Sequence, residues 1–297
     1  MTTVAGTLRP IVDTRASRGL WRDAFGRLLR NRPAMLGLFL IILFLAGAIL
    51  APVVAPQGPF ATYPGASLKP PSGDHLFGTD RLARDELARV LYGAQVSLYV
   101  GVVSVVMGFT IGAIMGAIAG ALGGFVDALL MRIVDVLLSV PGILLAIGIV
   151  AWLDRGLLQI MLAVAVTNVP IFARLLRGSL LALREAEFVT AARSIGASPM
   201  RILMRHMLPN ALTPLIVATT LALATAIIDV AGLGFLGLGP PDPRTAEWGT
   251  MLTDARSFLQ RAPWLLLFPG FAISITAIGF NLLGDGLRES LDPRLKR

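Results

Sequence analysis

The residues able to do chemistry are few, and their placement rules out most reactions. The chain holds two histidines, His75 and His206, two lysines, Lys69 and Lys296, and no cysteine. A phosphate-cradling P-loop needs a lysine at the end of a glycine-rich turn. Here Lys69 is followed by Pro70 and Lys296 by Arg297, and neither has a glycine frame. Without cysteine there is no disulfide and no thiolate metal site. Two histidines on separate segments assemble neither a Ser–His–Asp triad nor a zinc centre. The sequence therefore predicts no catalytic group, no metal site and no resident cofactor. What stands out instead is a polar, cationic segment, FVTAARSIGASPMRILMRHMLPN at 188–210, set between two long apolar runs. It reads as a short helix, a break at Gly196 and a second helix.

The elements that must carry this segment are membrane helices. Only 15% of the 297 residues are charged and the mean hydropathy is +0.75, which is not the composition of a water-soluble globule. A bilayer-spanning helix needs about 20 mostly apolar residues. Six charge-free windows meet or approach that, predicting spans at 35–54, 98–121, 134–152, 157–174, 211–230 and 264–283. Pro52, Pro56 and Pro59 stop the first window, and Gly123-Gly124 the second. The expected fold class is an all-α integral membrane protein with six transmembrane helices. The first apolar run follows an Arg-rich stretch and is long enough to span, so it reads as a span rather than a signal peptide.

Orientation follows from Arg and Lys. With a cytoplasmic N-terminus, the inner segments hold 18 basic residues and the outer ones 8, while acids divide 8 and 8. The formal charge of +8 thus sits on one side, as the positive-inside rule requires, and membrane topology rather than nucleic-acid binding explains it. Both termini come out cytoplasmic, with the 188–210 segment on the same side.

Along the chain, 15–33 is expected to form an interfacial amphipathic helix. Trp21, Phe25, Leu28 and Leu29 share one face, and Arg18, Arg22, Asp23 and Arg30 the other. In the first outer segment, Thr79 or Asp80 is expected to cap a short helix with Leu82, Leu87, Val90 and Leu91 on its apolar side. Glycines at 108, 112, 116 and 120, with 124 beyond them, predict a close helix–helix or subunit contact. Pro141, in Ser139-Val140-Pro141-Gly142, together with Asn168 and Pro170, are candidate pathway-lining kinks. Asp135 and Asp229 lie near span ends and are not read as proton relays. Gly232, Gly234, Gly237 and Gly239, followed by prolines, preclude a long regular element there. A helix near 247–259 is expected to present Trp248, Leu252, Ala255 and Leu259 on one side. Trp248 and Trp264 are expected in the interface belt, and the outer loop at 231–263 is read as a gate or a contact for a delivery protein. Four segments result: a tail at 1–34, a first span and outer segment at 35–95, a five-helix core at 96–284, and a tail at 285–297.

Six ordered blocks carry a family resemblance. They are RNRPAMLGL near 30–38, LFGTDRLARDELARVLYGAQVSL at 76–98, RIVDVLLSVPGILLAI at 132–147, the loop at 188–210, EWGTML at 247–252 and GFNLLGDGLRESLDPRLKR at 279–297. Together they resemble the permeases of peptide/nickel-type ABC importers, and most of all the C-type subunit of dipeptide importers. The resemblance implies a type I importer fold in the bacterial inner membrane. It also implies a second homologous permease, two ATP-binding subunits that carry the ATP and magnesium, and an extracytoplasmic binding protein. The 188–210 segment is similar to the family's EAA loop, with Thr190 where the motif's Glu is general. Thr190, Ala191, Ala192, Arg193, Ser194, Ile195, Gly196, Ala197 and Ser198 would form the ATPase-coupling helix and its turn, and Leu208-Pro209 would begin the return to the membrane. Di- or oligopeptides are the implied cargo, with nickel, glutathione, opines or haem as alternatives. A channel or scaffold subunit without ATPase partners is the reading of another class.

Overall fold

The structure, a computed structural model, describes residues 20–242 and 244–291, with side chains from residue 25 onward. The described part is helical and contains no strand, only isolated bridges. Residues 15–19 of the expected amphipathic helix and the end of the C-terminal tail lie outside it. Helix α1 (Leu20–Arg30) leads into α2 (Arg32–Val54), capped by Asn31, whose side chain accepts the Ala34 N–H at 3.0 Å. Pro52 inside α2 leaves the Ala48 carbonyl without its helical donor. Gln95 supplies the replacement, its Nε2 donating to that oxygen at 2.7 Å.

Helix α3 (Glu86–Leu122) is 37 residues long, about 55 Å at 1.5 Å per residue, so its outer turns rise beyond the hydrocarbon core. Its N-cap is Asp85, which accepts the Ala88 N–H at 2.9 Å, and not Thr79 or Asp80 as the sequence suggested. Ala83 sits at φ 57, a left-handed conformation that no helix passes through. The expected short helix therefore begins later and fuses with the span. Gly123 and Gly124, both at positive φ, then turn the chain into α4 (Gly124–Ser139).

The third expected span is broken. Helices α4 and α5 (Gly142–Leu153) meet at 93°. Pro141 has no N–H and pushes Val140 to φ −101, ψ 132, so the two axes separate rather than bend gently. Among the described residues, five helices are long and apolar enough to cross a membrane singly, and the bent pair taken as one span brings the number to six. The other crossings are α6 (Leu157–Arg184), α9 (Leu208–Leu233) and α11 (Trp264–Leu291), with short α7 (Glu187–Ser194) and α8 (Pro199–Ile202) between α6 and α9. Gly232 and Gly234 do not end the fifth span. Helix α9 runs to Leu233 and continues as a π-helical turn that stops at Gly237, φ 78.

The most extensive helix pairing joins α3 to α6. A Cβ on Gly108 would lie 2.7 Å from the Ala165 carbonyl oxygen, and one on Gly112 2.5 Å from that of Val169. Gly116 meets the Ala173 carbonyl in the same way, and Gly120 the Leu180 side chain at 3.0 Å. Asn168 and Pro170 are buried, and Asn168 Cβ abuts Gly108. Both positions thus sit inside the chain. Pro141 is exposed and stays a candidate. The remaining bundle forms where Gly37 meets Gly279 and Gly284 meets Thr220 and Leu221. These contacts put the start of α2 and the ends of α3, α6 and α11 at one end. There Arg27 of α1 donates to the Ser290 carbonyl through Nε at 3.0 Å and Nη2 at 2.5 Å.

The seam makes a graded prediction. Gly112→Val adds atoms where backbone already stands, and overpacking costs about 1–3 kcal/mol or more. Its unfolding midpoint in detergent should fall clearly. Gly148→Ala meets nothing within 4 Å and should match the parent. Equal midpoints for both variants would refute the tight seam.

Candidate functional site

The segment at 188–210 folds as a helix–turn–helix on the inner end of the bundle. Helix α7 closes with two backbone bonds, Ala197 N–H to the Ala192 carbonyl at 3.0 Å and Gly196 N–H to that of Arg193 at 2.9 Å. This is the Schellman pattern, which needs a left-handed residue at its first post-helical position. Gly196 supplies it at φ 79, where a side chain is disfavoured by backbone geometry rather than by lack of space, since nothing lies within 4 Å. Ser198 then caps α8, with Pro199 in its first turn. Residues Leu203–Met207 form a π-helical turn that leads into α9, which begins at Leu208-Pro209.

One face of this hairpin is anchored. Val189, Ala192, Ile202 and Met207 are buried with Leu176 and Leu180 of α6 and Ala211 and Leu215 of α9. The opposite face is open. Ile195 is 85% exposed, Met200 66% and Met204 56%, beside Phe188. Thr190, Ala191, Arg193, Ser194, Gly196 and Ser198 share the exposed surface, whereas Ala192 points inward and Ala197 is half-buried. Of the expected docking residues, Ala192 is therefore part of the anchor. The sequence list missed Phe188, Met200 and Met204, although the helical period of the buried Val189 and Ala192 marks Phe188 as outward.

Arginines on the last turns of α6 fix the site to the rest of the bundle. Arg174 Nη2 donates to Asp135 at 2.6 Å, and Arg177 makes a two-armed pair with Asp127, its Nη2 donating at 2.6 Å. Arg184 donates to the Gly120 and Ala121 carbonyls, each at 3.1 Å, where the end of α3 leaves unpaired acceptors and a partial negative charge. These groups are partly exposed, so they set orientation more than they add stability. A cavity of about 320 Å³ lies between the end of α3 and the hairpin, lined by Gly120, Leu122, Arg184, Arg193, Pro199 and Met200 among others.

The outer end is built differently. Asp80 is buried and receives Arg84 Nε at 2.6 Å, Arg89 Nη1 at 2.9 Å and the Leu82 and Arg84 N–H groups at 2.8 Å each. His75 pairs with Asp85 at 2.9 Å. The expected outer helix is α10 (Trp248–Ala255), followed by a 3₁₀ turn. Its inward residues are Trp248, Met251 and Ala255, and Leu259 is exposed because the turn changes the helical phase. Trp248 is not at a lipid interface. It is fully buried, its Nε1 donating to the Val90 carbonyl at 3.0 Å, with Phe44 against its edge. Trp264 is half-buried, donating to the Thr79 carbonyl at 3.3 Å. Glu247 caps α10, accepting the Gly249 and Thr250 N–H groups at 2.7 and 2.8 Å. Burial pushes its carboxyl up to about 7 against the pull of those donors.

The bundle thus joins a hairpin with an exposed apolar face at one end to a buried polar cap at the other. Residues 108–297 match the family described as binding-protein-dependent transport system inner membrane component, and residues 19–71 match the N-terminal TM domain of oligopeptide transport permease C. The chain is 48% identical to the dipeptide transport system permease protein DppC of Alkalihalophilus pseudofirmus, over 93% of this chain and 90% of that protein. It is 46% identical to the glutathione transport system permease protein GsiD of Escherichia coli, over 97% and 95%. A chain of the MetNI methionine ABC transporter in an inward-facing conformation has the same fold, with TM-score 0.57 at 22% identity over 69% of this chain and 96% of that one. The chain belongs to the binding-protein-dependent transport system inner membrane component family. It is a multi-pass permease subunit of an ABC importer in the bacterial inner membrane.

Removing the outer anion should be costly. Asp80→Ala takes away the charge on which Arg84 and Arg89 converge, and breaking a buried pair typically costs about 3–5 kcal/mol. The variant should unfold far below the parent in detergent, and Asp74→Ala, at an exposed position, should not. An Asp80→Ala protein as stable as the parent would contradict the buried network.

Proposed function

We propose that this chain forms half of an import pathway for di- or oligopeptides, with a second homologous permease as the other half. Two ATP-binding subunits would dock on the 188–210 hairpin, and an extracytoplasmic binding protein would deliver cargo to the outer end. The ATP and magnesium would be held by the partner ATPases. The observation that carries the docking role is the exposed apolar set Phe188, Ile195, Met200 and Met204 on a hairpin whose other face is anchored. Water-facing apolar groups of this size on an ordered tip mark a protein contact. The anchoring of that tip to α6 and α9 supports a rigid-body route by which closure of the ATPases would move both helices. The peptide cargo is supported by the oligopeptide permease C match at 19–71 and by the dipeptide permease relative. The glutathione relative keeps glutathione as the second reading, because glutathione is itself a small peptide.

Two substitutions test the docking role. Ile195→Glu places a charge in the centre of the proposed contact, so the ATP-binding subunits should be lost on mild-detergent purification while the permease still inserts. Gly196→Val strains the left-handed turn, and should uncouple ATP hydrolysis from uptake with insertion intact. Unchanged subunit recovery in the first variant together with unchanged uptake in the second would sink the assignment.

A further inference from the structure

Asp229 has a role that the docking hairpin and the outer cap leave unfilled. It lies in the last two turns of α9, half-buried, within an apolar run. The acids on α4 are each matched by an arginine of α6, Asp127 by Arg177 and Asp135 by Arg174. Asp229 has no hydrogen-bond or ion-pair partner among the described residues. No basic residue occurs anywhere in α5 or α9, nor in α3 beyond Arg89. An ionisable group at membrane depth is costly and is retained where it meets a partner, water or a passing solute.

Its surroundings point to a solute. Thr225, one turn before Asp229 on α9, is exposed, as is the adjoining Ile228, and Gly232 follows one turn beyond. The Cβ position of Gly232 lies 4.0 Å from Ile143, so this side of α9 adjoins the 93° elbow between α4 and α5. Exposed Pro141 sits at that elbow. The described residues hold no group of three or more metal-ligating side chains, and a single carboxylate cannot enclose a metal ion. It suits a monovalent ammonium group, which donates charge-assisted hydrogen bonds to a carboxylate.

We propose that Asp229 is a specificity-determining residue of the pathway, holding the ammonium group of a small zwitterionic solute as it passes the α4–α5 elbow. The choice of solute rests on the peptide-import reading above. The absence of cysteine in this chain gives a direct test in the complete transporter, reconstituted in vesicles with its partners made cysteine-free. Thr225→Cys is introduced with and without Asp229→Asn, and the thiol is titrated with cationic and anionic methanethiosulfonates of similar size. With Asp229 present the cationic reagent should react about tenfold faster, as expected for a focused field in a low-dielectric cleft. Asp229→Asn should bring the two rates together, and alanyl-alanine should slow the cationic reaction only where Asp229 is intact. Uptake of alanyl-alanine should fall about tenfold or more in Asp229→Asn and recover in part in Asp229→Glu. A thiol that neither reagent reaches means that lipid or the second permease covers this face, and overturns the proposal. So does a rate ratio that Asp229→Asn leaves unchanged. Charge selectivity that depends on Asp229, without protection or uptake of the dipeptide, supports the cation site and overturns the peptide reading alone.

Discussion

The backbone contact between α3 and α6 is the constraint on which the rest depends. In lipid the apolar tails compete equally for apolar side chains, so helices associate through close packing rather than through a hydrophobic drive. Glycines at 108, 112 and 116 let α6 approach until its carbonyls sit where side chains would stand, and Gly120 makes room for Leu180. That approach places the basic end of α6 beside the turn into α4, close enough for Arg177 to reach Asp127 and for Arg184 to cap α3. The hairpin that follows α6 inherits its position from this contact. On the proposed reading, a push on the hairpin reaches α3 through the seam, α4 through the arginine pairs and α9 through the shared apolar anchor.

The two ends of the molecule are built on opposite principles. At the outer end, polar groups are buried and bonded to one another: Asp80 between two arginines, His75 on Asp85, and Glu247 on the amides of α10. Such networks are costly to form and costlier to break singly, so they hold one arrangement. At the inner end, large apolar side chains of the hairpin are exposed, a fitting state for a surface awaiting a partner. Between them, the elbow at Pro141 interrupts a crossing that could otherwise have been one straight helix.

Much of this was legible from particular residues. Long charge-free windows gave the crossings, since few local forces compete with the hydrocarbon core for their length. Gly196 announced the turn because the common helix-ending motifs favour glycine in the left-handed conformation there. The α3–α6 pairing was half legible: the stripe of glycines predicted a close partner but could not name it. Other features were hidden because tertiary context decided them. Ala83 in a left-handed conformation moved the start of α3 to Asp85. Pro141 separated two helices where a kink was expected, and Pro170 sits within α6 without breaking it, although both are prolines in apolar runs. Trp248 reads as an interface residue by type, yet a buried slot beside Gly93 and the Val90 carbonyl claim it. The polarity of Asn168 marks it in the sequence, and in the fold its amide donates to the Val164 carbonyl beside Gly108.

The coupling assignment is tested most directly by placing a photo-crosslinking amino acid at Ile195 in the intact transporter and identifying what it captures. The account predicts a single dominant adduct with an ATP-binding subunit, and none from the same probe at Leu144 on α5. Capture of lipid alone from position 195, or equal capture of the ATPase from both positions, would contradict it.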